Sequence, residues 1–289
     1  MDEKEIMNVF CIGNAESRKG IDLEKYRPHG KLYGCNALTR DFMPDVITSV
    51  DNGIMHEIFH KGLAYQVPCF FRNWTKMPIM AFDSMITDAG MKDSEMNYMR
   101  ENGFMVENKR TEETTQFVLH GSTIKGVADI IKKDGTKEKK NINQSNIYVS
   151  YVDPKLDKTT SLVDYMQQGE EFKDLGWAAG PTSGYIACKR EQPSYVFMLG
   201  HDLFSSNAHV NNMYKSTKHY VTAEHQPTPC INWIKQWLEL FKMYPNIQFF
   251  KVQAPYNEND KTTQPVLEWN GIPNINYIDY SRLDNILNL

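Results

Sequence analysis

Short apolar runs that stop at a small or polar residue recur along this chain, and that rhythm limits its fold more than any other feature. Met7–Ile12 stops at Gly13-Asn14, Lys31–Cys35 at Asn36, and Val46–Val50 at Asp51. Val67–Phe71 is a fourth run. Tyr195–Leu199 stops at Gly200-His201-Asp202, Ile247–Val252 at Gln253-Ala254-Pro255, and Ile275–Asp279 is the last. Such runs lack the in-out alternation of a half-buried strand. They belong to strands buried on both faces, the pattern of a parallel sheet covered by helices.

Helical segments lie between them. Gly53–Tyr65 places Ile54, Ile58 and Leu63 at helical spacing. Thr182-Ser183 reads as a helix start, and Thr228-Pro229 as an N-cap with a first-turn proline. The latter precedes a stripe of Cys230, Trp233, Ile234, Trp237, Leu238 and Phe241. The expectation is one α/β domain over residues 1–289, built on a single doubly wound, mostly parallel, Rossmann-like sheet. Residues 73–175 lack the strand–helix rhythm and read as an insertion. Within it Asp134-Gly135 is a favoured hairpin turn, flanked by Lys132, Lys133, Lys137, Lys139 and Lys140.

Composition narrows the class. With 41% hydrophobic and 24% charged residues the chain is ordinary globular material. A formal net charge of -4 gives the whole molecule no pull toward nucleic acid or anionic membrane, so such contact needs a local patch. No apolar run approaches the roughly 20 residues that span a bilayer. Met1–Glu5 is charged, unlike the start of a secretory signal. The five cysteines include no Cys-x-x-Cys pair and read as buried thiols in a reducing compartment. The expected location is the cytoplasm of a bacterium or an infected cell.

Polar residues gather where strands end: Asn14, Asn36, Asp51 and Asp202. Ligands of open α/β sheets bind at those ends. An Asn amide both donates to and accepts from a base or ribose, and glycine lets backbone approach closely. Taken singly, Gly-Asn and Gly-His-Asp are ordinary turn chemistry; taken as a set, they point to a nucleotide site. The dinucleotide fingerprint is missing, since Ala15 and Arg18 stand where it requires glycines, and there is no phosphate-binding P-loop.

Two blocks carry a resemblance. "IGNAESRKGIDLEKY…KLYGCN" resembles the opening of bacterial sialyltransferases of glycosyltransferase family 42 and of related transferase-like domains, including those of tailed phages. "PTSGYIACKRE…YVFMLGHDLF" resembles a later block of the same family. Together they span about a quarter of the chain. The resemblance implies a variant GT-A fold and contacts to a nucleotide-sugar from Gly13, Asn14, Asn36, Thr182, Ser183 and Gly184, with Asp202 near the nucleoside. Ala15 and Glu16 depart from the family's Gly-Pro.

That family also uses lid tyrosines for the phosphate and a histidine base. The corresponding stretch here is 205–226, holding His209, Tyr214, Lys215, His219, Tyr220 and His225. Histidine titrates near neutrality, as a base for an attacking hydroxyl requires. The expected catalytic set is His219 as base with Tyr220 and Tyr214 at the phosphate. No D-x-D motif is present, so the expected reaction is metal-independent, with a nucleotide-sugar co-substrate and no cofactor. The acceptor would be a hydroxyl of a glycan or, in a phage setting, of a modified DNA base reached by the lysine hairpin.

Two other classes compete. A nucleotide-binding module without catalysis would keep the binding blocks alone. A zinc peptidase is suggested by His56-Glu57-x-x-His60, whose histidines share a helix face, although Leu63 stands where the extended metzincin motif needs glycine. In that case the bland alternative is a solvated helix face.

Overall fold

A computed structural model of the chain describes residues 7–72, 75–78, 116–120, 126–131, 137–142, 148–152, 159–161 and 177–289. In chain order these form β1 (Asn8–Ile12), β2 (Lys31–Cys35), β3 (Val46–Ser49), α1 (Asn52–His60), β4 (Cys69–Phe71) and β5 (Thr75–Pro78). There follow β6 (Gln116–His120), β7 (Gly126–Ile131), β8 (Lys137–Ile142), β9 (Tyr148–Val152) and β10 (Thr159–Ser161). The last are α2 (Ala179–Glu191), β11 (Tyr195–Leu199), α3 (Ile231–Met243), β12 (Gln248–Gln253), β13 (Ile275–Asp279) and α4 (Tyr280–Leu287). They fall into two compact units, Met1–Thr48 with Gly176–Leu289, and Ser49–Leu175.

The first unit is an α/β fold of the Rossmann-like kind. Its strands run β3-β2-β1-β11-β12-β13, and each pairing is parallel. The chain leaves β1 toward β3 on one side and toward β13 on the other, so strand order reverses between β1 and β11. Both faces are covered. Phe10 and Ile12 join Phe197, Leu199 and Val252 in a cluster with Leu23, Tyr26, Leu32, Leu38, Leu283 and Leu287. On the opposite parity Phe249 meets Phe241 of α3. Alternate residues of one strand are thus buried against different layers, which explains the continuous apolar runs.

Helix boundaries differ from the sequence expectation in instructive ways. α1 stops at His60, and Gly62 turns left-handed (φ 69°) before a 3₁₀ turn at Leu63–Tyr65. α2 starts at Ala179, so Thr182-Ser183 is not its cap. The Thr182 hydroxyl bonds back to the Ala178 carbonyl (2.8 Å), as a threonine inside a helix does. α3 starts at Ile231 rather than at Thr228-Pro229; of the stripe, Ile234, Trp237 and Phe241 are buried, and Leu240 joins them.

In the second unit β10 pairs with β4 in parallel, β6 pairs antiparallel with β5 and β9, and β7 pairs antiparallel with β8. The insertion expected at 73–175 falls within this unit. The hairpin turn at Asp134-Gly135, with Lys132 and Lys133, lies outside the described residues. Lys137, Lys139 and Lys140 are register positions of β8, opposite Ile131, Asp129 and Ala128.

Candidate functional site

Strands β1 and β11 flank the reversal of strand order, and their carboxyl ends are tied together. The Gly13 N–H donates to the Leu199 carbonyl (2.7 Å) and the Ala15 N–H to that of Gly200 (3.1 Å). Glycine is required at position 13: a Cβ there would run into the Gly200 carbonyl and come within 3.0 Å of His201 Cε1. From this junction Asn14 reaches sideways. Its Nδ2 donates to the Cys35 carbonyl at the end of β2 (3.2 Å), and its own carbonyl accepts from Met213 (2.9 Å). Its Oδ1 is buried with no hydrogen-bond partner among the described residues. Asn36 follows directly, held left-handed (φ 48°) at the head of a 3₁₀ turn.

The amino end of α2 comes to the same place. A Cβ on Gly180 would lie 2.7 Å from His201 Cε1. The cap residue is Ala178, which brings no side-chain bond, and the first-turn N–H groups of Ala179 and Gly180 have no acceptor within the helix. Thr182 and Ser183 are buried, and Ser183 Oγ has no partner among the described residues. Gly184 does something else. A Cβ there would be 2.7 Å from the Trp237 ring, so this glycine lets α2 and α3 pack.

Asp202 is committed to the loops. It accepts from the Ser17 hydroxyl, the Ser17 N–H (3.2 Å) and Asn211 Nδ2 (2.8 Å), while Asn211 Oδ1 takes the Glu16 N–H (2.7 Å). Glu16 pairs with Lys215 (2.9 Å), which offsets its negative charge. Arg18, only 3% exposed, is the hub beneath. Its Nε donates to the Gly13 carbonyl (2.7 Å), one Nη to Asp41 (2.8 Å) and the other to the Tyr214 hydroxyl (2.7 Å). Burial works against its charge, but bonding to Asp41 and Tyr214 holds its pKa above the ordinary arginine value. The Tyr214 hydroxyl in turn donates to Asp41, and burial raises its pKa.

Tyr214 therefore sits in a buried latch that fastens loop 205–226. The loop is fastened again by Arg40, which donates to Thr217 Oγ1 (2.6 Å) and the Lys218 carbonyl (2.8 Å) and lies over the rings of Tyr214 and Tyr220. His209, His219 and His225 are exposed, and His219 takes a left-handed conformation (φ 69°). His201 is buried edge-on against Trp237. Burial, and then the charge of Lys251, push its pKa down to about 3.

The structure thus gathers Gly13, Asn14, Asn36, Thr182, Ser183 and Asp202 at one edge of the first unit. Asp51 belongs to the second unit, where it is exposed and its carbonyl accepts from Ile54 and Met55 of α1. His56 and His60 are backbone positions of α1 whose side chains lie outside the description, and Glu57 pairs with Lys61 (2.7 Å). Among the described residues no group of three His, Cys, Asp or Glu could hold a metal ion. No described helix is long and apolar enough to cross a membrane. Sequence reasoning missed the buried Arg18 and Lys251, because nothing local marks a charged residue as internal, and it missed Asp41, which only the fold brings to Arg18.

Comparison with family models, with curated proteins and with solved structures finds no match to this chain.

Proposed function

We propose that this protein binds a nucleotide-sugar at the carboxyl edge of the first unit and transfers the sugar to a hydroxyl without a metal. The observation that carries the reading is Asn14. Its amide nitrogen is engaged by Cys35, so the orientation of its side-chain carbonyl oxygen is set, and that oxygen is a buried acceptor without a partner among the described residues. A ribose hydroxyl or an exocyclic base amine is its complement. The position, beside the reversal of strand order, is where open α/β sheets take ligands. The N–H groups at the start of α2, which have no acceptor within the helix, suit a phosphate.

In this reading the acceptor oxygen bonds to the anomeric carbon as the bond to the phosphate oxygen breaks. The electron pair leaves with the nucleotide and the acceptor's proton passes to a histidine. Loop 205–226 supplies His219 as the base and Tyr220 near the phosphate. Tyr214 serves as the latch that holds the loop. The acceptor is a glycan hydroxyl or one on a modified DNA base. A second reading, a nucleotide-binding module without catalysis, is favoured by the exposure of all three loop histidines and by the depressed pKa of His201, too weak a base near neutrality.

Calorimetry with CMP, UMP, GMP and their sugar conjugates tests the binding. Asn14→Ala should weaken the preferred nucleotide by about ten- to a hundredfold, the worth of a buried partner, with the fold intact and thermal unfolding lowered only by the loss of the Cys35 bond. No heat from any nucleotide, or equal affinity in the variant, would overturn the reading. Donor hydrolysis or transfer separates transferase from module.

A further inference from the structure

Away from the reversal, the ends of β12 and β13 frame a cleft of about 410 Å³ that the nucleotide reading does not use. Its walls include Pro255, Tyr256, Tyr277, Asp279 and Arg282, and Gln253 with Thr263 form its floor. The floor is fixed from below. Lys251, fully buried, donates to Gln253 Oε1 (2.6 Å) and to the Thr262 carbonyl (3.0 Å). Gln253 Nε2 donates to the Thr263 carbonyl, and Asp260 takes the Thr262 N–H (2.9 Å) and hydroxyl (2.7 Å). A floor held this way needs no ordering when a ligand arrives.

The rim has three kinds of group. Tyr256 is 70% exposed, a large aromatic side chain left open to solvent. The Tyr277 hydroxyl accepts the Val266 N–H (3.0 Å), which leaves its own hydrogen to donate. Asp279 takes the Arg282 N–H (2.7 Å) as the cap of α4 and has further acceptor capacity, while the Arg282 guanidinium forms no ion pair among the described residues. The site therefore offers an aromatic face with donors and acceptors together. A simple anion would meet the Asp279 carboxylate, and a purely apolar group would leave Asp279 and Arg282 uncompensated. A hydroxyl-rich ring satisfies every group, its C–H face on the aromatic ring and its hydroxyls shared between carboxylate and guanidinium.

We propose that this cleft is a carbohydrate subsite that takes a neutral pyranose. As the place of an acceptor it rests on the transferase reading; as a binding site it stands alone. Saturation-transfer NMR on the full chain tests it with methyl glucoside, methyl galactoside and methyl N-acetylglucosaminide, and with CMP, UMP and GMP in parallel samples. At least one pyranoside should receive transfer. Its affinity should fall tenfold or more in Tyr256→Ala, stay near parental in Tyr256→Phe, and fall in Arg282→Gln, while nucleotide binding is unchanged. No transfer to any pyranoside while one of the nucleotides still binds would overturn the subsite and leave the nucleotide reading standing. Pyranoside binding with no binding of CMP, UMP or GMP would do the reverse. Pyranoside affinity indifferent to Tyr256→Ala also refutes it, and so does loss of nucleotide binding in that variant, which would assign the cleft to the base.

Discussion

Replacing Arg18 with methionine keeps a long apolar stem and removes every hydrogen bond of the hub. The Gly13 carbonyl loses the Nε donor, at a cost of about 1–3 kcal/mol for a buried acceptor left without a partner. Asp41 loses its cation, but its side chain is 39% exposed, so water recovers most of that charge and the pair adds little. The Tyr214 hydroxyl keeps its bond to Asp41. The sum is about 1–4 kcal/mol, below the 3–5 of a fully buried pair at its lower end. For a unit of this size, that lowers the melting temperature by about 2–15 °C. The damage should also be local. The Met213 amide, bonded to the Asn14 carbonyl (2.9 Å), should exchange with deuterium much faster as loop 205–226 loosens. Arg18→Lys should rescue only in part, because an ammonium cannot reproduce the fork. A methionine variant that melts like the parent, with Met213 protected as before, would refute the latch.

Buried neutral His201 should shape the acid limb of stability. Its folded pKa lies near 3 against about 6.5 unfolded, so its contribution is complete above about pH 6.5 and is lost as pH falls toward 3. Thermal unfolding from pH 7 to 3.5 should show a flatter decline in His201→Gln than in the parent; equal slopes would contradict the assignment. His219→Gly should raise stability by up to about 1 kcal/mol, because its left-handed backbone favours glycine, yet lower turnover by about two to four orders of magnitude if this histidine is the base. Turnover near parental in that variant would move the base elsewhere, with His209 and His225 next to be tested.

Much of the sheet was legible because β1, β2, β11 and β12 bury both parities of side chain, and that demand is written into consecutive residues. Asn14 and Asn36 were legible for a related reason: a strand end is a local event, marked where an apolar run meets Gly-Asn or Asn. The start of α2 was not, because a threonine that looks like a cap found its acceptor four residues back inside the helix. Arg18 and Lys251 were beyond reach of any local pattern. Sequence alone classes both as surface residues, yet Arg18 finds partners 23 and 196 positions away, and Lys251 finds a carbonyl 11 positions on across a folded-back loop. The cleft walled by Tyr256 and Arg282 likewise exists only once β12 and β13 lie side by side. Backbone burial and strand endings depend on neighbours in sequence, whereas the place of a buried charge depends on partners that only the folded chain brings together.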